Sequence, residues 1–201
     1  MTNQDKDIWE SFRNGDKAAF EQLLLQYYRP MFDYGIRIQS DTDQLRDDLH
    51  DLMVNLWERR EHLRATEHLK FYLFKALRHQ ILKGKRKKGI FVDSGSLNED
   101  AVDENDDMLF GFEKEEADER QSHQIRRMLL KLSKRQQEVL HLKFFEEFSN
   151  EQIAESLGIS RAATANLLYT SLQAFKVLWK VECYPLLLLL SSWKSVSCII
   201  L

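Results

Sequence analysis

The chain has 201 residues, 43% of them hydrophobic and 30% charged, which suits one domain or two small ones with a buried core. Seven Gly and two Pro argue against sandwiches and collagen-like chains and favour an all-α class. The two cysteines, Cys183 and Cys198, form no CxxC or Cys/His spacing, so neither a metal site nor a disulfide framework is expected. The start, "MTNQDKDIWE", lacks the basic flank and apolar run of a signal peptide, which points to the cytoplasm. Net charge is −3, but between Asp93 and Glu119 stand twelve Asp/Glu and one Lys. That segment carries −11, so the remainder carries +8. Two basic blocks joined by an acidic connector suggest nucleic-acid-facing domains, against the plainer alternative of a solvated hinge.

Taken in chain order, Ile8, Trp9 and Phe12 predict a short leading helix packed beneath the ones that follow. Phe20, Leu23, Leu24, Tyr27, Tyr28, Met31, Phe32 and Ile36 recur at helical spacing over 16–38, with Asp16 as N-cap and Pro30 as a point of bending. A second helix over about 42–61 carries Leu45, Leu49, Leu52, Met53, Leu56 and Trp57 on one side. Asp47, Asp48, Asp51 and Glu58 lie among Arg46, Arg59 and Arg60 and form a charged face, solvated or partner-binding. A third helix over about 67–88 runs from an aromatic beginning to a strongly basic end.

That third helix holds Phe71, Tyr72 and Phe74 followed by Lys75, Arg78, Lys83, Lys85, Arg86, Lys87 and Lys88. Strand separation needs aromatic faces for unstacked bases and cations for the backbone, and both are here. Phe71, Phe74, Leu77 and Ile81 share a face at helical spacing, so Phe71 and Phe74 are expected in the core and Tyr72 is favoured for contact. Residues 90–118 show no sustained period and read as a linker, with one apolar island, "MLFGF", at 108–112.

Helical order resumes after Glu119 in three segments, each announced by a serine. Ser133 with Gln136, and Ser149 with Gln152, have capping-box spacing. In "SNEQIAESLGISRAAT", 149–164, Ile153 and Leu157 give an inner face, Ala154 a close approach, Gly158 the turn, Ile159 a plug and Ser160 a cap. This is the pattern of a helix-turn-helix, with an ordinary helical hairpin as the alternative. Leu167 and Leu168 continue the buried face. Outward positions of the second helix are Arg161, Ala162, Ala165, Asn166 and Tyr169; Arg161 suits guanine, Asn166 suits adenine, and Thr164 joins them if it faces outward. Phosphate-binding charge nearby is limited to Lys134, Arg135, Lys143 and Lys176, so isolated DNA affinity is expected to be weak and salt-dependent.

Together these segments, from Phe20 to Lys180, resemble the extracytoplasmic-function class of sigma-70 RNA polymerase sigma factors. "DDLHDLMVNLWERREHL", 47–63, is similar to the family's core-binding helix: Asp47, Asp51, Leu56 and Trp57 match, while His50 stands for the usual Gln and Met53 for the usual Phe. "KFYLFKALRHQILKGKRKK", 70–88, resembles the promoter-melting helix. "RATEHL", 64–69, matches by position the loop that captures a flipped base. "LLKLSKRQQEVLHLKFFEEFSNEQIAESLGIS", 129–160, resembles the second domain. Ala165 and Thr170 stand where the family commonly has basic residues, and Thr164 where it has a β-branched apolar one.

The resemblance implies two helical domains. A first at 1–88 binds core polymerase and recognises and melts the minus-ten element; an acidic linker follows at 89–118; a helix-turn-helix domain at 119–180 reads the minus-thirty-five element. It assigns core-polymerase binding to Asp47, Asp51, Leu52, Leu56 and Trp57. Minus-ten binding and melting fall to Arg64, Lys70, Tyr72, Lys75, Arg78, Lys83, Arg86 and Lys87, and minus-thirty-five reading to Arg135, Ser160, Arg161, Thr164, Asn166 and Tyr169. The implied partners are bacterial core RNA polymerase, promoter DNA and an anti-sigma factor, with no cofactor, no metal, no small-molecule substrate and no catalysis. Membrane contact is expected only through an anti-sigma partner. Polymerase would compensate for the weak recognition helix by holding both domains on one promoter. The connector could mimic nucleic acid in a basic channel.

A free-standing helix-turn-helix regulator is the main alternative, and a binding protein without DNA contact a further one. The segment 181–201, "VECYPLLLLLSSWKSVSCIIL", lies outside the resemblance. Its serines and Lys194 interrupt a membrane span, leaving an extra helix or strand over the second domain, or a hydrophobic partner site.

Overall fold

The computed structural model describes the backbone of residues 3–87 and 124–196, and side chains within 5–86 and 124–179. The expected linker at 89–118, with its apolar island, and Lys88 lie outside these, as do the side chains of Lys87 and of the tail. Among the described residues the fold is all-α. The elements are α1 (Asn3–Arg13), α2 (Lys17–Gly35), α3 (Thr42–Glu58), a 3₁₀ turn (Arg60–His62), α4 (Leu69–Lys87), α5 (124–130), α6 (Lys134–Phe144), α7 (Asn150–Leu157) and α8 (Arg161–Val196).

Local chemistry sets the boundaries. Asp16 accepts from the amides of Ala18 and Ala19, and Asp41 does the same for Asp43 and Gln44 at the start of α3, satisfying amides with no partner inside the helix. Both predicted capping boxes form: Ser133 and Ser149 accept from the N3 amides while Gln136 and Gln152 reach back to the cap amides. Pro30 sits inside α2. At Gly35 the chain passes so close to α3 that a Cβ there would run into the Leu45 side chain.

The first group of helices, α1 to α4, closes over Trp9, Phe12, Leu23, Met31, Leu45, Leu49, Leu73, Phe74, Leu77 and Ile81. The predicted leading helix is therefore part of the core. Trp9 Nε1 donates to the Arg64 carbonyl at 3.1 Å and Arg13 Nε to the Leu63 carbonyl at 2.7 Å, so α1 fixes the loop between the 3₁₀ turn and α4. The second group, α5 to α8, closes over Met128, Leu132, Val139, Leu142, Ile153, Leu157 and Leu168. Gln137 Nε2 donates to the Leu132 carbonyl at 2.8 Å and ties the turn between α5 and α6. Most buried apolar residues of the two groups, from Ile8 to Leu168, form one connected cluster. Beyond Lys180 the backbone continues as α8 to Val196, so a helix is the form the predicted extension takes there. Among the described residues no helix is long and apolar enough to cross a membrane.

Candidate nucleic-acid interface

The helix-turn-helix is built as its sequence predicts. Gly158 adopts φ +67°, a left-handed geometry that an L side chain enters only at a cost. The Ile159 amide then donates to the Ala154 carbonyl at 3.0 Å, a bond that closes the helix end by the Schellman pattern. Ser160 Oγ accepts from the Ala163 amide at 3.1 Å and starts α8. Arg161, Ala162, Ala165, Asn166 and Tyr169 are exposed, Tyr169 to 64%, and form the outward face of α8. Arg161 pairs with Glu151 of α7. The Glu151 carboxyl is held below the usual range by its own backbone amide and Ser149 before Arg161 contributes.

Thr164 departs from the sequence expectation. It is fully buried, and its hydroxyl donates back to the Ser160 carbonyl at 3.1 Å, so it cannot meet a base edge. Its position on the inner face follows Leu168 and Ser171, four and seven residues on, which are buried as well. Leu167 is only half-buried.

Helix α3 presents Asp47, Asp51, Val54 and Glu58 on one exposed stripe, with Val54 41% exposed. Leu52 and Leu56, expected at a polymerase contact, are instead buried in the core at 7% and 4% exposure, because they continue the Leu45 and Leu49 face. Asp48, placed by sequence on the charged face, is also buried. Trp57 is half-buried. Its ring packs 5.1 Å from Phe20 and 6.2 Å from Phe12, and the Arg60 guanidinium lies 4.6 Å above it.

On α4, Lys83 and Arg86 are exposed, as is Arg64 in the loop before it. Tyr72 is half-buried, its ring 5.5 Å from Trp9. Phe74 is buried and Phe71 half-buried. The remaining expected DNA contacts meet carboxylates of the second helical group. Lys70 Nζ lies 2.9 Å from Glu146 Oε2, Lys75 Nζ 2.6 Å from Glu155 Oε1, and Arg78 Nε 2.7 Å from Glu138 Oε1. Arg135 also reaches Glu138, at 3.2 Å, and donates to the Leu157 carbonyl.

The chemistry of this junction is coherent. Tyr34 donates to Glu138 at 3.0 Å; burial first, and then the Glu138 charge, push its hydroxyl well above the usual range, so it stays a donor. His141 Nε2 lies 2.9 Å from the other Glu146 oxygen. Burial opposes ionisation of Glu146, but His141 and Lys70 outweigh it and hold the carboxyl below its usual range. The Phe148 ring stands edge-on to Phe71 at 5.6 Å and to Phe74 at 5.7 Å. Sequence reading missed Tyr34, Glu138, His141 and Glu146 as a set. The available signal was a carboxylate and an imidazole three residues apart within the apolar run of α6, where buried polar groups require partners.

Residues 122–174 match the family model Sigma-70, region 4, which covers α5, α6, α7 and the start of α8. The chain is also 27% identical, over 149 residues, to the RNA polymerase sigma factor YlaC of Bacillus subtilis, an alignment spanning 72% of this chain and 82% of YlaC. Residues 122–174 thus carry the pattern of a sigma-70 region 4 domain. The fold of this chain is similar to CnrH, solved in complex with the cytosolic domain of CnrY, with TM-score 0.58, 16% identity and coverage of 90% of this chain and 99% of that one. It is similar also to the sigma factor RpoE of Bartonella quintana, solved with the anti-sigma factor NepR, with TM-score 0.55, 21% identity and coverage of 81% and 98%.

Proposed function

We propose that this chain is a sigma factor that binds bacterial core RNA polymerase and directs it to promoters as a two-domain initiation factor, in the cytoplasm and without catalysis of its own. The carrying observation is the helix-turn-helix of residues 122–174, matched to sigma-70 region 4, whose α8 presents Arg161, Asn166 and Tyr169 outward. These residues read the minus-thirty-five element, with Ser160 fixing the start of the helix and Arg135 beside it. Arg161 and Asn166 supply the bidentate donors and acceptors that distinguish base pairs in the major groove.

The α3 stripe of Asp47, Asp51 and Val54, with the edge of Trp57, faces core polymerase. An aromatic anchored from inside and rimmed by polar groups is the form a strong interface takes. Arg64, Tyr72, Lys83, Arg86 and Lys87, with Lys70, Lys75 and Arg78, hold the melted minus-ten strand by stacking and charge. An anti-sigma factor is the regulator, supported by the fold shared with RpoE, solved with NepR.

The test is transcription in vitro from a promoter library with purified core polymerase, with and without the chain. New, sharply placed start sites sharing upstream sequence are expected. Failure to associate with core polymerase, together with an unchanged transcript set, would overturn the proposal.

A further inference from the structure

Arg161 opens α8, and Glu151 stands in the first turn of α7. The turn at Gly158 brings the two helices together so that Arg161 Nη2 pairs with Glu151 Oε1. Both side chains point outward, at 73% and 51% exposure, at one edge of the face that carries Asn166 and Tyr169. Glu151 is a fixed mount. Its own amide and Ser149 keep its carboxyl below the usual range before Arg161 adds to this, and Ser149 is itself tied into the capping box with Gln152.

The guanidinium is therefore held from α7 while its stem belongs to α8. A guanidinium carries five N–H donors in a rigid fork. Nη2 makes the contact with Glu151, and Nη1 and Nε stay outside it, so holding one arm sets the direction of the rest. An exposed ion pair contributes little to folding stability; its effect here is on what Arg161 can meet. Guanine offers the neutral acceptors N7 and O6 in the major groove, whereas a phosphate offers charged ones. A carboxylate beside Arg161 repels the phosphate far more than the neutral base edge. It also restricts rotamers that binding would otherwise have to freeze.

We propose that Glu151 is a positioning residue for base reading, holding Arg161 toward a guanine edge and away from the neighbouring phosphates. This rests on the proposal that α8 reads the minus-thirty-five element. The consequence is a trade: Glu151 lowers total affinity for duplex DNA and raises discrimination between sequences. The one arginine of α8 is thereby kept for sequence rather than for the backbone. Glu151 also suits the start of α7, where an acid complements the helix dipole. That second role is independent of Arg161, so a double variant separates the two.

The experiment uses the full chain bound to bacterial core polymerase, on a promoter library randomised upstream of the start site. Two labelled duplexes that differ at the position Arg161 reads give affinities at several salt concentrations. Arg161→Ala identifies that position as the one whose preference is lost. Glu151→Gln should reduce the preference there about threefold while binding both duplexes more tightly than the unaltered chain. Its log affinity should fall more steeply with log salt, by about 0.9, as the released guanidinium meets a phosphate. With Arg161→Ala already present, adding Glu151→Gln should change the preference no further. Glu147→Gln, an exposed acid before α7, controls for net charge and should retain the preference.

An unchanged preference in Glu151→Gln, where Arg161→Ala shifts it, would overturn the positioning role and leave α8 standing as the reader. A loss of preference at every position together, persisting in the Arg161→Ala background, would make Glu151 a structural acid of α7 and overturn the role as well. If Arg161→Ala leaves the library preference unaltered, the reading by α8 falls, and Glu151 has nothing to position.

Discussion

Arg78 Nε donates to Glu138 Oε1 across 2.7 Å, joining α4 to α6 over 60 residues of chain. Both side chains are largely buried, at 13% and 6% exposure. Removing one partner of a buried pair costs ~3–5 kcal/mol when the other is left with nothing. Here Arg135 and Tyr34 still serve Glu138, so Arg78→Met should lower unfolding free energy by ~1–3 kcal/mol. Urea unfolding followed by circular dichroism measures it. The double variant Arg78→Met/Glu138→Gln should cost less than the two single losses added, as coupled neighbours do. Strict additivity would count against the pair.

Thr164 and Arg161 lie three positions apart on α8 and should behave oppositely. Arg161→Ala is expected to weaken discrimination at one promoter position by ~1–3 kcal/mol, read as the change in preferred sequence in a transcription-based selection. Thr164→Val changes a buried hydroxyl bonded to its own helix, so promoter preference should be retained. A shifted preference in Thr164→Val with Arg161→Ala unaltered would reverse the assignment of the two faces.

Gly158 makes the turn between α7 and α8 at φ +67°, with open space where a Cβ would stand. The cost of Gly158→Ala is therefore one of backbone conformation rather than collision. It should amount to ~1–2 kcal/mol, the penalty of the left-handed region for a residue with a Cβ. Gly158→Asn should recover part of it, because Asn tolerates that region better than Ala. Thermal unfolding of the two variants compares them directly; equal midpoints would contradict the turn geometry.

Glu146 links His141 to Lys70, and its carboxyl is depressed in the folded chain. A carboxyl that ionises at lower pH when folded than when unfolded adds stability that is complete above the unfolded value, ~4.3 for Glu. That stability is lost as pH falls through the lower folded value. The stability gap between the unaltered chain and Glu146→Gln should therefore be widest near neutral pH and narrow below about pH 4. Chemical unfolding at pH 7, 5 and 3 reads it. A gap that stays constant across that range would deny the carboxylate its role.

The sequence by itself determined the helices, their caps and the helix-turn-helix, because these depend on neighbours within a few residues. Ser149 and Gln152 close a capping box and Gly158 turns left-handed through local hydrogen bonds and sterics alone. Helical spacing also separated most of the core from the surface, since a face that buries Leu45 and Leu49 recurs every three or four residues. Periodicity places a residue on a face only to within a position or so. Hence Asp48, placed on the charged face, lies inside; Leu52 and Leu56, on the apolar side but also expected to touch polymerase, are wholly core; and Thr164, a candidate only if it faced outward, faces inward.

Only the tertiary structure decided what the cations of α4 meet. Lys70, Lys75 and Arg78 have the composition of a nucleic-acid contact, yet their partners stand 76, 80 and 60 residues away. Charge is non-directional along a sequence. Whether a guanidinium holds a phosphate or the carboxylate of Glu138 depends on which acceptor the packed helices bring within 3 Å.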